Sequence, residues 1–172
     1  MSKINNVEIK AKCSEPKFIQ DTLMELGADY LGCDHQIDTY FNCEKGRLKH
    51  RAGNIENSLI FYSRPDQAGP KHSDIAFSKV KKESNISDVL TAAYGVKAIV
   101  DKKRHIYFID NVKFHVDEVQ GLGSFMEIEA IDESTEIPLS KLQEQCEHYM
   151  NVLKIKDSDL ITQSYSDLIF NE

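Results

Sequence analysis

The feature that most constrains the fold is an alternation of charged and apolar residues that recurs along most of the chain. In residues 6–13, Glu8, Lys10 and Lys12 alternate with apolar neighbours. Successive side chains of a β-strand point to opposite sides, so a strand with this sequence has one charged face and one apolar face. The pattern therefore predicts a sheet whose two faces differ in chemistry.

Strand patterns of this kind dominate residues 4–131, separated by turns that contain glycine, proline or asparagine. After the strand at 6–13, we predict strands at 36–42, 45–52, 57–64, 73–80, 97–109, 112–119 and 125–130. Asp110 and Asn111 join two of these strands in a turn that favours an antiparallel hairpin. About eight strands are needed to close a barrel around a small ligand, and the predicted number fits such a barrel.

Three further segments show helical patterns. Ser14 lies where a helix N-cap is expected, and Pro16 suits the first turn of a helix that ends at Gly27. Apolar residues at helical spacing predict two more helices, at 86–94 and 138–153. Because such helices can cover the apolar face of the sheet, we predict an α+β fold with helices packed outside the barrel.

Composition limits the class of protein further. The chain has 172 residues, of which 41% are hydrophobic and 28% charged, so we assign residues 1–172 to a single globular domain. No apolar run approaches the ~20 residues that span a bilayer, and no signal-peptide pattern opens the chain, which predicts a cytoplasmic protein without membrane contact. The net charge of −7 argues against nucleic acid as a partner.

The charged residues form clusters on particular strand faces. The clusters are Arg47, Lys49 and Arg51; Lys102 and Arg104; Lys113, His115 and Asp117; and Glu127 and Glu129. One interpretation is a solvated face with ion pairs between strands. The other is a polyanion site, because neighbouring cations repel one another unless an anion lies between them, with the carboxylates holding a divalent metal. The charge pattern by itself leaves both interpretations open.

Six short motifs follow one another on the predicted strands. They are residues 6–10 (Asn-Val-Glu-Ile-Lys), 36–41 (Gln-Ile-Asp-Thr-Tyr-Phe), 46–51 (Gly-Arg-Leu-Lys-His-Arg), 60–65 (Ile-Phe-Tyr-Ser-Arg-Pro), 102–104 (Lys-Lys-Arg) and 117–129 (Asp-Glu-Val-Gln-Gly-Leu-Gly-Ser-Phe-Met-Glu-Ile-Glu). Each motif alone is weak, but their order resembles the CYTH family of triphosphate tunnel enzymes, which includes class IV adenylyl cyclases and thiamine triphosphatases. The resemblance covers nearly the whole chain as one CYTH-like domain.

The resemblance implies a closed, eight-stranded antiparallel tunnel in which basic side chains bind a triphosphate and carboxylates bind Mg²⁺ or Mn²⁺. Matched by position, the phosphate-binding residues would be Lys10, Arg47, Lys49, Arg51, Arg64, Lys102 and Arg104. Lys10, Arg51 and Arg104 are assigned the catalytic roles. The metal ligands would be Glu8, Asp117, Glu127 and Glu129.

Two residues on these strand faces need separate interpretations. Asn6 lies where the family signature Glu-x-Glu-x-Lys has its first glutamate. An amide oxygen can coordinate a hard cation but adds no charge, so Asn6 would weaken one metal position. His115 shares the face of Asp117 and is interpreted as a hydrogen-bonding residue of the tunnel wall rather than a general base.

The motifs most resemble the class IV adenylyl cyclase-like branch, and three functions follow as hypotheses. The first is metal-dependent cleavage of a phosphoanhydride in ATP, thiamine triphosphate or tripolyphosphate, with hydrolysis favoured. The second is cyclisation of ATP, in which the 3′-hydroxyl attacks the α-phosphorus and pyrophosphate leaves. The third is non-catalytic binding of a triphosphate or similar polyanion. A monomer and a homodimer both fit the sequence.

Overall fold

The computed structural model describes residues 4–63, 66–134 and 136–170. Within these ranges it contains eight strands, β1 (Ile4–Lys12), β2 (Asp29–Phe41), β3 (Arg47–Gly53), β4 (Asn57–Ser63), β5 (Lys71–Lys79), β6 (Val96–Ile109), β7 (Val112–Val119) and β8 (Gly123–Asp132). It also contains four α-helices, α1 (Pro16–Glu25), α2 (Ile86–Tyr94), α3 (Leu139–Val152) and α4 (Tyr165–Phe170), with a 3₁₀ helix at Asp157–Asp159.

The strands close into an antiparallel barrel in the order β1-β5-β4-β3-β2-β6-β7-β8. Closure occurs at β1, where Glu8 is opposite Lys71 of β5 on one side and Glu129 of β8 on the other. In a closed barrel, alternate residues of each strand face the interior, so the period-two pattern separates tunnel from outer wall. The predicted eight-stranded antiparallel barrel is confirmed.

The apolar faces of β1, β7 and β8 lie on the outer wall, where α1 and α3 cover them. The buried outer core includes Ile9, Phe114 and Ile128 from the strands with Leu23 of α1 and Leu142 of α3. Full burial of an apolar side chain of this size stabilises a fold by about 1.5–3 kcal/mol. Packing outside the barrel therefore leaves the charged strand faces to the interior, and the prediction of external helices is confirmed.

The predicted helices are present, with small differences at their ends. Glu15 rather than Ser14 precedes α1, and no side chain caps that helix, so the predicted serine cap was wrong. Gly27 and Gly95, with φ of 77° and 70°, follow α1 and α2 in the left-handed region that favours glycine at helix ends. None of the helices in the described ranges has both the length and the hydrophobicity that a membrane-spanning segment needs.

The largest difference from the predicted strands is in β2, which begins at Asp29 rather than residue 36. The three residues from Asp29 to Leu31 are all exposed, so no apolar alternation marks this part of the strand. Pairing with β6 extends β2 in spite of that, with a change of register between Tyr30 and Gly32. The length of β2 is therefore set by its long partner strand.

Candidate active site

A cavity of about 730 Å³ runs inside the barrel and is lined by side chains from all eight strands. Five of the predicted phosphate-binding residues line it: Lys10, Lys49, Arg51, Lys102 and Arg104. Their exposed fractions are all 9% or less. The charged strand faces thus lie inside the tunnel, and the interpretation of a solvated outer face was wrong.

Asp38 on β2 holds three of these cations together. Its carboxylate accepts hydrogen bonds from Lys49 Nζ and Lys102 Nζ, each at 2.8 Å. Arg51 donates to both carboxylate oxygens, from Nε and Nη2, at 2.9 Å each. The sequence prediction missed Asp38, although it lies in the second of the six motifs, because a single acidic residue on a strand gives no cluster signal.

The pKa values in this cluster reflect competition between burial and charge. Burial alone would raise the pKa of Asp38, but the surrounding cations outweigh it and hold the pKa well below its ordinary value. Burial lowers the pKa of Lys102 to about 7, even though the charge of Asp38 opposes the shift. The charge of Asp38 therefore helps Lys102 to keep its proton inside the tunnel.

Arg104 on β6 is fixed by a second ion-pair cluster. Its guanidinium donates to both oxygens of Asp117, at 2.7 and 2.5 Å, and to Glu127 Oε2 at 2.9 Å. Tyr165 of α4 donates its hydroxyl to Asp117 Oδ2 at 2.7 Å. Burial would raise the pKa of Asp117, but Arg104 outweighs that effect and lowers it. Asp117 is thus positioned to orient Arg104.

A group of possible metal ligands lies beside Arg104. His115, Glu127 and Glu129 each offer a ligand atom, and these atoms all lie within 4.8 Å of one another. Burial lowers the pKa of His115, and the charge of Arg104 acts in the same direction, so the imidazole is neutral near pH 7. A neutral imidazole with two carboxylates is a suitable donor set for a divalent cation.

Two buried polar atoms near this group have no hydrogen-bond partner within the described ranges. One is Asn6 Oδ1, and the other is Nε2 of His115, whose Nδ1 lies 2.9 Å from Glu127 Oε2. Buried polar atoms normally have partners, so these two atoms offer unused positions to a ligand bound in the cavity. Glu8 is directly opposite Glu129 in the β1–β8 register, which brings a further carboxylate to the group. The residues present fit a bound divalent metal.

Sequence comparison places this tunnel in a known family, because residues 5–165 match the CYTH domain. The chain belongs to the CYTH family. The resemblance seen in the six motifs is thereby confirmed over nearly the whole chain.

Individual relatives of the CYTH chain agree with this assignment. A protein of Methanocaldococcus jannaschii, provisionally named an adenylate cyclase, is 27% identical over 179 residues and covers 94% of this chain and 97% of its own. A solved Pyrococcus horikoshii structure has a TM-score of 0.81 at 22% identity, covering 95% and 98% of the two chains. A Hippeastrum structure, provisionally an adenylyl cyclase and described as having a dominant triphosphatase activity, has a TM-score of 0.61 at 15% identity, covering 96% and 95%.

The remaining predicted site residues of the CYTH tunnel have different positions. Arg47 does not line the cavity, and its Nη2 donates to Asp66 at 2.9 Å and to Asp167 at 2.8 Å. Arg64 lies outside the described residues. Asp117 is not among the grouped metal ligands, and its oxygens contact Arg104 and Tyr165. The geometry therefore supports an anchoring role for Arg47 and Asp117 better than direct contact with phosphate or metal.

The sequence prediction missed one further pair in the tunnel, Glu56 and Lys113, which form an ion pair. Glu56 also accepts a hydrogen bond from Arg51 Nη1 at 3.0 Å. Burial would raise the pKa of Glu56, but Arg51 and Lys113 outweigh it and lower the pKa. Lys113 had a visible signal, since it shares a strand face with His115, whereas Glu56 lies in the turn before β4, where no pattern marks it.

Proposed function

We propose that this CYTH protein is a metal-dependent triphosphate-processing enzyme that cleaves a phosphoanhydride inside the tunnel, with hydrolysis as the favoured reaction. The observation that carries the proposal is that five buried cations and a group of possible metal ligands line one cavity. Buried like charges are costly unless a counter-charge neutralises them, and Lys49, Arg51 and Lys102 share one carboxylate, that of Asp38. Of these three cations, Arg51 also contacts Glu56. A polyphosphate would bring further negative charge to this cluster.

Two groups of basic residues would bind the phosphates from different sides of the cavity. Lys49 and Arg51 of β3 and Lys102 of β6 approach the cavity from the two strands that flank β2, and Asp38 of β2 holds all three. Lys10 and Arg104 approach from the side of Glu127, at 3.0 and 2.9 Å from its carboxylate. We assign the catalytic contacts to Lys10, Arg51 and Arg104, because cations held in place before the substrate arrives stabilise the charge that develops during phosphoryl transfer.

The metal would be Mg²⁺ or Mn²⁺, held by Glu8, Glu127 and Glu129 with the imidazole of His115 as an additional ligand. A bound divalent cation would supply charge neutralisation on the phosphate oxygens. His115 keeps its neutral form at neutral pH and orients Glu127 through its Nδ1 atom. Arg104 in turn is oriented by Asp117, whose own position depends on the hydroxyl of Tyr165.

The decisive experiment incubates the protein with Mg²⁺ or Mn²⁺ and tripolyphosphate, thiamine triphosphate or ATP, and separates orthophosphate, pyrophosphate and cyclic AMP. We expect orthophosphate from at least one substrate and no turnover after chelation of the metal. Cyclic AMP and pyrophosphate from ATP would instead establish the cyclase, which the name of the Methanocaldococcus relative makes the second candidate. Tight binding without any product would establish the non-catalytic binder.

The matched variants are Glu129→Gln in the tunnel and Glu147→Gln on the exposed surface of α3. Removing the charge of Glu129 should lower metal-dependent turnover at least 100-fold, because it removes a ligand charge while keeping the shape of the side chain. Glu147→Gln should retain full activity. Equal activity of the two variants would exclude Glu129 from the metal site.

A further inference from the structure

The inner face of the barrel is not charged throughout. Among the apolar residues that line the cavity are five on neighbouring strands: Ile4 of β1, Ile60 of β4, Ile75 and Phe77 of β5, and Ile131 of β8. We call these five residues the apolar wall. They are unlike the apolar residues of the outer core, because they face the same space as the buried cations.

The apolar wall is a continuous surface across four neighbouring strands. Ile4 is directly opposite Ile75 in the β1–β5 pair, and Ile60 is directly opposite Phe77 in the β4–β5 pair. Ile75 and Phe77 are two residues apart and therefore point the same way. Ile131 is opposite Asn6, the next inward-facing residue after Ile4.

The apolar wall begins where the possible metal ligands end. Ile131 follows Glu129 by two residues on β8, and Ile4 precedes Glu8 by four on β1. Same-face residues two apart in a strand are separated by roughly 7 Å. The phosphates of a bound molecule would contact the cations and a metal held by Glu129. The first atoms beyond those phosphates would then lie against the apolar wall.

The wall also extends to an apolar rim that water reaches. Phe77 is 45% exposed, and Leu31 and Ile55, which line the same cavity, are 53% and 41% exposed. Scattered exposed apolar residues are ordinary, but apolar residues that line one cavity are typical of a ligand-binding surface. Filling the cavity mouth with an apolar group would remove this surface from water.

We propose that the substrate is an oligophosphate ester of a hydrocarbon alcohol, with its chain on the apolar wall and its phosphates on the tunnel cations. The proposal rests on the proposed function, since it concerns the same tunnel. Polar residues such as Ser58, Lys79 and Glu133 line the cavity beside the wall. The five wall side chains themselves carry no hydrogen-bonding atoms, so they offer no partner to the polar atoms of a sugar or base lying on them. A hydrocarbon chain has no such atoms and gains from leaving water.

The test compares binding of methyl triphosphate, n-octyl triphosphate and ATP by calorimetry, without added metal so that no turnover occurs. The methyl and octyl esters carry the same phosphate charge and differ only in chain length. Each buried methylene strengthens binding about fourfold, so we expect the octyl ester to bind at least 30-fold more tightly than the methyl ester. ATP should bind no more tightly than the methyl ester.

The variants Phe77→Ser and Ile75→Ser should each reduce the octyl-to-methyl affinity ratio at least fivefold. Ala76→Ser is the matched control, because Ala76 lies between them on the opposite face of β5, and its ratio should equal that of the unmodified protein. Thermal melting checks that each variant folds. If Ile75→Ser unfolds, Phe77→Ser decides the question, since its side chain is already half exposed.

The outcomes separate this inference from the proposed function. Methyl triphosphate binding with no gain from the octyl chain would overturn the inference and leave the triphosphate site intact. A larger gain for ATP than for the octyl ester would overturn it in favour of a nucleoside substrate. Failure of all three compounds to bind would overturn both proposals.

Discussion

At the scale of the residue, Asp38 shows how a tunnel of cations is kept folded before any ligand binds. Three positive side chains contact this one carboxylate, which is 1% exposed. Removing one partner of a buried ion pair leaves the other charge without compensation, which costs more than the pair contributes. Asp38 therefore supplies the negative charge that keeps these cations folded together, and a bound phosphate could partly replace that charge.

The variant Asp38→Asn should lower the free energy of unfolding by about 3 kcal/mol, measured by urea denaturation at pH 7. Asp101→Asn is the matched control, because Asp101 pairs with the exposed His35 at 2.8 Å on the outer surface. That variant should change stability by less than about 0.5 kcal/mol. Equal effects of the two substitutions would mean that Asp38 does not act as the counter-charge.

Asn6 is the residue that most directly tests the metal site. Its buried Oδ1 atom has no partner within the described ranges, and its strand neighbour Glu8 faces the same cavity. Asn6→Glu adds a ligand charge and should strengthen Mn²⁺ binding by roughly tenfold, measured by calorimetry without substrate. Asn5→Glu adds the same charge on the other face of β1 and should leave Mn²⁺ affinity within about twofold. If Asn6→Glu and the unmodified protein gave the same Mn²⁺ titration, the side chain at position 6 would lie too far from the metal to bind it.

At the scale of the element, α4 brings a tyrosine from outside the barrel into the tunnel. Lys10 Nζ lies 3.7 Å from the ring centre of Tyr165, while the hydroxyl of Tyr165 donates to Asp117. Burial raises the pKa of Tyr165 well above its ordinary value, and the charge of Asp117 adds to the shift, so the hydroxyl stays protonated and able to donate. Asp167 of the same helix contacts Arg47 at 2.8 Å, which ties α4 to β3.

The variant Tyr165→Phe should lower the free energy of unfolding by about 1.5–3 kcal/mol, the usual cost of removing a buried hydrogen bond to a charged group. Tyr94→Phe on α2 is the control, since Tyr94 is 53% exposed and should tolerate the loss of its hydroxyl. Urea denaturation of both variants measures the difference. A stability loss below about 0.5 kcal/mol for Tyr165→Phe would show that the hydrogen bond from Tyr165 to Asp117 does not stabilise the fold.

At the scale of the whole molecule, closure of the barrel concentrates ionised carboxylates in a buried interior. Cations lower the pKa of Asp38, Asp117 and Glu127 below their ordinary values, against the effect of burial. A carboxylate whose native pKa lies below its unfolded value stabilises the fold at every pH above the unfolded value. That stabilisation is lost as the pH falls toward the native value, because the unfolded chain then binds more protons.

The protein should therefore lose some stability between pH 7 and about pH 5, because the native pKa of buried His115 is lowered and its imidazole is protonated first in the unfolded chain. It should lose stability more steeply below about pH 4, where unfolded carboxylates take up protons. Asp38→Asn should show a shallower loss over the same range, since one of the depressed carboxylates is gone. Midpoints measured at half-unit pH steps test both expectations. A midpoint that stays constant down to pH 3 would contradict this account of the interior.

Strand alternation and the family motifs were enough to predict the barrel and most of its charged lining, because alternation puts Lys10, Arg51 and Arg104 each on the charged face of its own strand whatever the register. Which charges contact one another depended on the tertiary fold. Asp38 and Glu56 carry no periodic signal, yet the β2–β3–β6 pairing brings Asp38 to three cations. The β6–β7 register likewise places Asp117 opposite Arg104 rather than with the possible metal ligands. His115, in contrast, lies in the group of possible metal ligands. The period of a strand fixes the direction of each side chain, whereas its partner across the sheet depends on pairing between segments far apart in the chain.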